Sequence, residues 1–224
     1  MAKQTIKDKE VARQENIEQT VSKTEQFYNE NKKAIWGCVI AVVVIGLGIL
    51  AYHRFIYEPK CAEAMEQTYP AERSFQNGEW DLALNGDGNV MGFTQIIDEY
   101  GAKAGKAVYF YAGVCELQLG NWESAISYLK KYKGKDSILA ARALACMGDA
   151  YVGLEDYKSA VPCFEKAASR ADNIFAAAYL LKAGVTREEL GDKAGALACY
   201  EKIKDQYPQS IEGYDIDKYI SRVK

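Results

Sequence analysis

Three glycines, Gly113, Gly148 and Gly184, stand 35 and 36 residues apart, and each is followed at a fixed distance by the same residue types. A period of that length marks a helical repeat array, in which one helix pair cannot bury its apolar face alone and must stack on its neighbours. The second half of the chain is therefore expected to be all-α and to grow as a solenoid of helical hairpins.

Aligned on those glycines, residues 106–139 hold Tyr109, Gly113, Gly120, Trp122, Ala125, Ile126 and Leu129. The next unit holds Leu144, Gly148, Tyr151, Tyr157, Ala160, Val161, Phe164 and Ala167, and the third holds Leu180, Gly184, Gly191, Ala196, Leu197, Tyr200 and Pro208. These residues resemble the tetratricopeptide repeat family, two helices per unit with small residues where they cross. A small residue such as Gly113 or Ala125 lets paired backbones approach, and Trp122, Tyr157 and Phe164 are expected to fill the space beside that contact. Leu119-Gly120-Asn121-Trp122 and Leu190-Gly191-Asp192-Lys193 read as a helix stop on Gly followed by an Asn or Asp start. Two positions depart from the pattern: Glu155 replaces the turn glycine of the second unit, and Lys193 replaces the aromatic of the third.

Residues 35–52 form an uncharged apolar run, long enough to nearly span the hydrocarbon core and extendable through Tyr57 if His53 and Arg54 snorkel. A cleaved signal peptide is the rival. The run begins after 34 residues, exceeds the usual apolar length and lacks a small-x-small end, so a transmembrane helix is expected. Cys38 precedes the run instead of following it, unlike a lipoprotein processing site. Trp36, Tyr52 and Tyr57 suit the two interfaces, and Lys32 and Lys33 bias the N-terminus to the cytoplasm, with the repeats outside. Before the run, residues 1–34 carry both signs of charge and no Pro or Gly, with Ile17, Val21, Thr24 and Tyr28 as a thin helical stripe on a polar tail.

After the run, Gly78, Trp80 and Ala83 are spaced like Gly120, Trp122 and Ala125, so residues 58–105 are expected to be a degenerate first repeat. Pro59 and Pro70 are expected to kink or divide its first helix. The loop 85–92 contains Asn85-Gly86-Asp87-Gly88-Asn89. Counted as an EF-hand loop it has Val90 at the glycine position and Ile96 at the closing Glu position, so turn chemistry explains it better than calcium. Phe93, Ile96, Ile97 and Tyr100 then carry helical spacing. Residues 106–208 hold the three clear repeats. In 209–224, Ile216, Tyr219, Ile220 and Val223 make the apolar face of a capping helix.

Net charge of −3 with 49% hydrophobic residues argues against a nucleic-acid protein, and no basic patch is evident. No catalytic motif, phosphate-binding glycine loop or zinc spacing appears, so no enzyme, metal, cofactor or small-molecule substrate is expected. The only histidine, His53, sits at the membrane boundary. Cys38 lies in the apolar run. Cys61, Cys115, Cys146, Cys163 and Cys199 lie beyond it, and five thiols cannot all pair; Cys163 and Cys199 occupy equivalent places and read as small apolar packing. Free thiols sit uneasily in an oxidising compartment unless they are buried.

The repeat resemblance implies that the first helix of each pair lines a concave groove. Carried over, this gives Phe110, Val114 and Leu117; Arg142, Asp149 and Val152; and Leu181, Val185 and Glu188 as partner-binding residues. Repeats that clamp acidic C-terminal tails carry Lys and Asn here, whereas this chain has Ala145 and the residues just named, so apolar or helical segments are the expected ligands. The whole layout resembles the YfgM-like single-pass inner-membrane family, and Ala83 to Asn89 with Gly92-Phe93 and Ile96 to Tyr100 is similar to its Bacteroidota variant. That resemblance implies a periplasmic adaptor beside the protein-export translocon, with translocon subunits, periplasmic chaperones or secretory chains as partners. A scaffold in outer-membrane or cell-wall assembly and a regulatory membrane subunit are the alternatives.

Overall fold

The structure, a computed structural model, describes the backbone of residues 2–171 and 173–224 and the side chains of residues 25, 27–171 and 173–224. The chain divides into two compact units, Met1–Glu58 and Pro59–Lys224.

In the first unit, helix α1 runs Ala2–Tyr52 and passes into a π-helical turn, His53–Tyr57. Within Phe27–Gln76 the helix is long and apolar enough to cross a membrane: its most apolar window has a mean hydropathy of 2.7 and none of it is buried by protein. Of the N-terminal stripe, Ile17, Val21 and Thr24 lie outside the described side chains. Tyr28 is exposed, and its hydroxyl accepts a hydrogen bond from the Trp36 indole at 3.2 Å.

The second unit is built of α2 (Glu58–Gln76), α3 (Trp80–Asn85), α4 (Phe93–Tyr100), a 3-10 turn, α5 (Ala107–Gln118), α6 (Trp122–Lys131), α7 (Ser137–Gly153), α8 (Tyr157–Ala171), α9 (Phe175–Glu189), α10 (Lys193–Gln206), α11 (Ile211–Tyr214) and α12 (Ile216–Val223). From α5 to α10 each helix packs on the next, as a solenoid requires. The periodic glycines are explained by what they face. A Cβ on Gly113 would lie 2.6 Å from Leu129 Cγ, one on Gly148 2.5 Å from Phe164 Cε1, and one on Gly184 2.3 Å from Tyr200 Cε1. Leu129, Phe164 and Tyr200 therefore fill the crossing in their own units, Phe164 as expected. Trp122 instead lies against Gly153 of the following pair, where it seals the joint between repeats.

One turn geometry recurs at four places. Gly78, Gly120, Glu155 and Gly191 have φ of 79°, 80°, 57° and 75°. In each, the amide of the left-handed residue reaches back to the third carbonyl before it (Gly120 to Leu117, 3.2 Å) and the next amide to the fifth (Asn121 to Glu116, 2.9 Å). Two orphan carbonyls per helix end are satisfied in this way. Asp192 then caps α10 by accepting the Gly195 amide at 2.9 Å, whereas Asn121 turns back to donate to Glu116 at 2.8 Å.

Two expectations need correction. The chain is not divided at Pro70, which lies inside a continuous α2; the buried Ala64, Thr68 and Ala71 hold the helix on the core, and Thr68 Oγ1 donates to the Ala64 carbonyl at 2.6 Å. Pro59 follows the wide π turn directly, inside a helical backbone that continues from α1 into α2, and the π turn is where its missing amide donor is accommodated. The segment after residue 208 is two helices, with α11 a single turn ahead of α12; Ile216, Ile220 and Val223 are buried against α9 and α10, with Tyr219 beside them.

Candidate interaction surface

The first helices of the three clear units are α5, α7 and α9, and the sequence-derived site residues lie on them. Phe110, Val114 and Leu117 do not line an open groove, which corrects that expectation. Phe110 and Val114 are buried with Leu129, Tyr132, Ala140 and Ala143, and Leu117 with Ala125, Ile126 and Ala150. The cause is that this face of α5 packs on α6 and α7 of the array, while α3 and α4 of the irregular unit cover its other face around Val108, Ala112 and Cys115.

On α7 and α9 the same positions stay partly open. Arg142 is exposed, Val185 is 36% exposed, and Val152 and Leu181 are half-buried at the margins of the core. Asp149 accepts hydrogen bonds from Lys182 Nζ on both carboxylate oxygens at 2.7 Å, and the same ammonium stands 5.8 Å from the Phe164 ring centroid. Lys182 thus belongs to this surface although the repeat pattern did not select it. Its signal was available: it lies 33 residues after Asp149, so one repeat places opposite charges on facing first helices.

Glu188 has a different job. Arg222 of α12 donates to it twice, from Nε at 2.9 Å and Nη2 at 2.6 Å, and the buried Tyr200 hydroxyl donates to the same carboxylate. Burial pushes the Glu188 carboxyl up, but the hydrogen bonds from Arg222 and Tyr200 prevail and hold it below the usual range. Glu188 joins α9 to the C-terminal cap and is occupied from within the chain.

The thiols are packing residues. Cys115, Cys163 and Cys199 are buried and Cys61 and Cys146 half-buried, all free. Burial raises the Cys115 thiol to about 12 and Cys146 to about 11, so both stay protonated and poorly nucleophilic at neutral pH. In the loop after α3, the Asp87 carboxylate accepts the amides of Asn89 and Val90, each at 2.9 Å, which is turn chemistry.

The helix pairs also stand out by comparison. Residues 107–136 and 178–210 match one tetratricopeptide repeat model and residues 141–174 match another. No curated protein matches the chain. Its fold is similar to two crystal structures of MamA: one, 19% identical with a TM-score of 0.52, aligns over 68% of this chain and 91% of that one. The other is 18% identical with a TM-score of 0.53, over 73% and 90%. At such identities the likeness speaks for the fold alone. The helix pairs between Ala107 and Ser210 are tetratricopeptide repeats.

Proposed function

We propose that the chain is a membrane-tethered, non-enzymatic adaptor that holds a protein partner on the face shared by α7 and α9. The observation that carries this reading is the contrast along one solenoid face. The α5 positions are buried against α6 and α7, while Arg142, Val152, Leu181 and Val185 remain accessible beside the Asp149–Lys182 pair. Apolar side chains flanked by fixed charges suit a helical or extended segment with apolar anchors. Residues 35–57 are the tether, with residues 1–34 in the cytoplasm and the repeats in the periplasm. Holding the repeats at the bilayer raises the local concentration of a weakly bound partner without any new contact. The architecture's resemblance to the YfgM-like family favours the export translocon, its emerging chains or a periplasmic chaperone as that partner.

In-cell photocrosslinking tests this from Arg142 and Val185, with Lys166 on the exposed side of α8 as control. Adducts with translocon subunits, chaperones or secretory chains are the expected result. Adducts only with outer-membrane or cell-wall machinery would replace the export reading by the scaffold reading, and equal labelling from Lys166 would remove the α7–α9 face as the site.

A further inference from the structure

A solenoid has two edges. At one lie the tight turns within each pair, at Gly78, Gly120, Glu155 and Gly191; at the other lie the loops that join one pair to the next. The second edge has an unexpected composition.

The last two residues of α6 and the joining loop after it, 130–136, read Lys-Lys-Tyr-Lys-Gly-Lys-Asp, four lysines in a chain of net charge −3. The sequence pattern alone had indicated no basic patch, because the lysines are balanced elsewhere in the chain. Lys130, Lys131, Lys133 and Lys135 are all exposed, and among the described residues none makes an ion pair. Asp136, the one acid in the loop, caps α7 by accepting the Leu139 amide at 2.6 Å. The neighbouring loop adds Lys106, whose Nζ donates to the Lys133 carbonyl at 3.0 Å. Between this loop and Arg170 lies a cleft of about 600 Å³ with Leu129, Ala140, Ala143 and Met147 among its lining and Lys130 and Lys133 beside them. By contrast the turns at the opposite edge carry Glu79, Asp81, Glu123, Asp156, Glu189 and Asp192, with Lys158 and Lys193 as their lysines.

The same edge exposes large apolar side chains at the starts of α7, α9 and α11. Ile138 opens α7, Ile174 and Phe175 open α9, and Ile211 opens α11, at 53%, 58%, 56% and 85% exposure. Their spacing of 36 and 37 residues is the repeat period, so the array itself aligns them. A second cleft, of about 280 Å³, joins Ile174 to the loop 206–210. The chain also enters the unit here. The unit begins at Pro59, and Glu63, one turn further on, accepts a hydrogen bond from Tyr100 at the end of α4 at 3.1 Å. The membrane-crossing segment, extended through Tyr57, ends two residues before Pro59, which is about 3 Å of helix.

We propose that this edge docks on the surface of the membrane that residues 35–57 cross, with the 130–135 lysines on anionic phospholipid head groups and Ile138, Ile174, Phe175 and Ile211 in the interfacial layer. The proposal rests on the tether reading given above. Lysines beside unpartnered aliphatic and aromatic side chains are what an interfacial surface needs, since charge attracts the edge to anionic lipid and apolar area holds it there. An acidic protein would satisfy the lysines, but it would give no reason for the apolar ladder on the same edge.

The test uses the full chain in vesicles of phosphatidylcholine with about one-third phosphatidylglycerol, a charge density at which each lysine near the surface contributes measurably. A fluorescent non-canonical residue replaces Phe175 or Ile211, with Leu154 at the opposite edge as control, and quenching by lipids brominated in their acyl chains is read. Strong quenching at Phe175 and Ile211 but not at Leu154 is expected. The variant K130Q/K131Q/K133Q/K135Q should lower the ratio of docked to undocked edge more than about tenfold, as should omitting phosphatidylglycerol. Extraction of the chain by urea would overturn the tether reading and the docking together. A chain that stays inserted while Phe175 and Ile211 are quenched no more than Leu154 would overturn the docking alone, leaving an acidic protein as the partner of the lysines.

Discussion

In the three regular repeats a glycine on the first helix faces one bulky side chain on the second: Gly113 meets Leu129, Gly148 meets Phe164 and Gly184 meets Tyr200. In the unit before them the second helix is broken into α3 and α4, and the two glycines at the break, Gly86 and Gly92, face backbone. A Cβ on Gly92 would lie 2.3 Å from the Leu84 carbonyl oxygen and 2.4 Å from the Gly86 nitrogen, while Gly86 itself pairs with Met91 in an isolated bridge. Thr94 Oγ1 donates to the Leu84 carbonyl at 2.9 Å, closing the end that the break leaves open. Both devices bring chain segments close. A side chain can rotate away from an intruding methyl, whereas a peptide group held at both ends cannot, so equal substitutions should separate the two regions.

Gly92→Ala is accordingly expected to give the largest effect, a loss of about 3 kcal/mol in chemical denaturation of the full chain in mild detergent. Gly148→Ala should cost about 2 kcal/mol, because the Phe164 ring moves at the expense of its packing in the core with Ala160 and Ala167. Adding Phe164→Leu to Gly148→Ala should return part of that loss, as a coupling in a double-mutant cycle. No partner substitution of that kind exists for Gly92. Equal costs for the two alanines, or additivity of Gly148→Ala with Phe164→Leu, would break the distinction.

The capping end supplies a third and smaller contrast, since polar groups there do what packed rings do further in. Arg222→Gln is expected to cost about 1 kcal/mol at neutral pH, the exposed arginine limiting the value of the pair. Glu188 has a folded-state pKa below its ordinary value, so its contribution is complete above the unfolded value of about 4.3 and is lost as pH falls through the lower folded value. Thermal midpoints should therefore fall as the pH drops below about 4.3 in the native chain. Glu188→Gln should flatten that part of the profile, and an unchanged acid slope would show that the latch to α12 is not carried by this carboxylate.

What could be read from the sequence follows the same division. The period of Gly113, Gly148 and Gly184 is a property of local residue types repeated at a fixed distance, so the solenoid and its turn positions were legible. So was the apolar run. The groove was not, because the burial of Phe110, Val114 and Leu117 depends on how closely α6 and α7 pack on α5, and residue types repeated at a fixed distance do not say how far that contact reaches. The Glu188–Arg222 pair joins residues 34 apart through a cap that begins at a one-turn helix, and charge patterning on either helix alone does not announce it. The lysine edge was hidden for the opposite reason: its residues are adjacent in sequence, but only the geometry of the joining loops brings them beside Arg170 and Lys106.

Glu155 tests the turns that both regions share. Its φ of 57° places a side chain in the conformation that Gly78, Gly120 and Gly191 adopt without cost, yet its amide bonds are as well formed as theirs, 2.9 Å to Val152 and 2.9 Å from Asp156 to Tyr151. The left-handed conformation costs an L-residue roughly 1–2 kcal/mol, and glycine's extra freedom in the unfolded chain takes back roughly half of any relief. Glu155→Gly should therefore stabilise the chain by about 0.5–1 kcal/mol, the smallest effect of the series and the only one of favourable sign. Raised denaturation midpoints would mean that the turn is fixed by its hydrogen bonds, with the residue type secondary. A lowered midpoint would mean that the exposed Glu155 side chain makes a contribution larger than the strain it bears, and the second repeat would then be held differently from its neighbours.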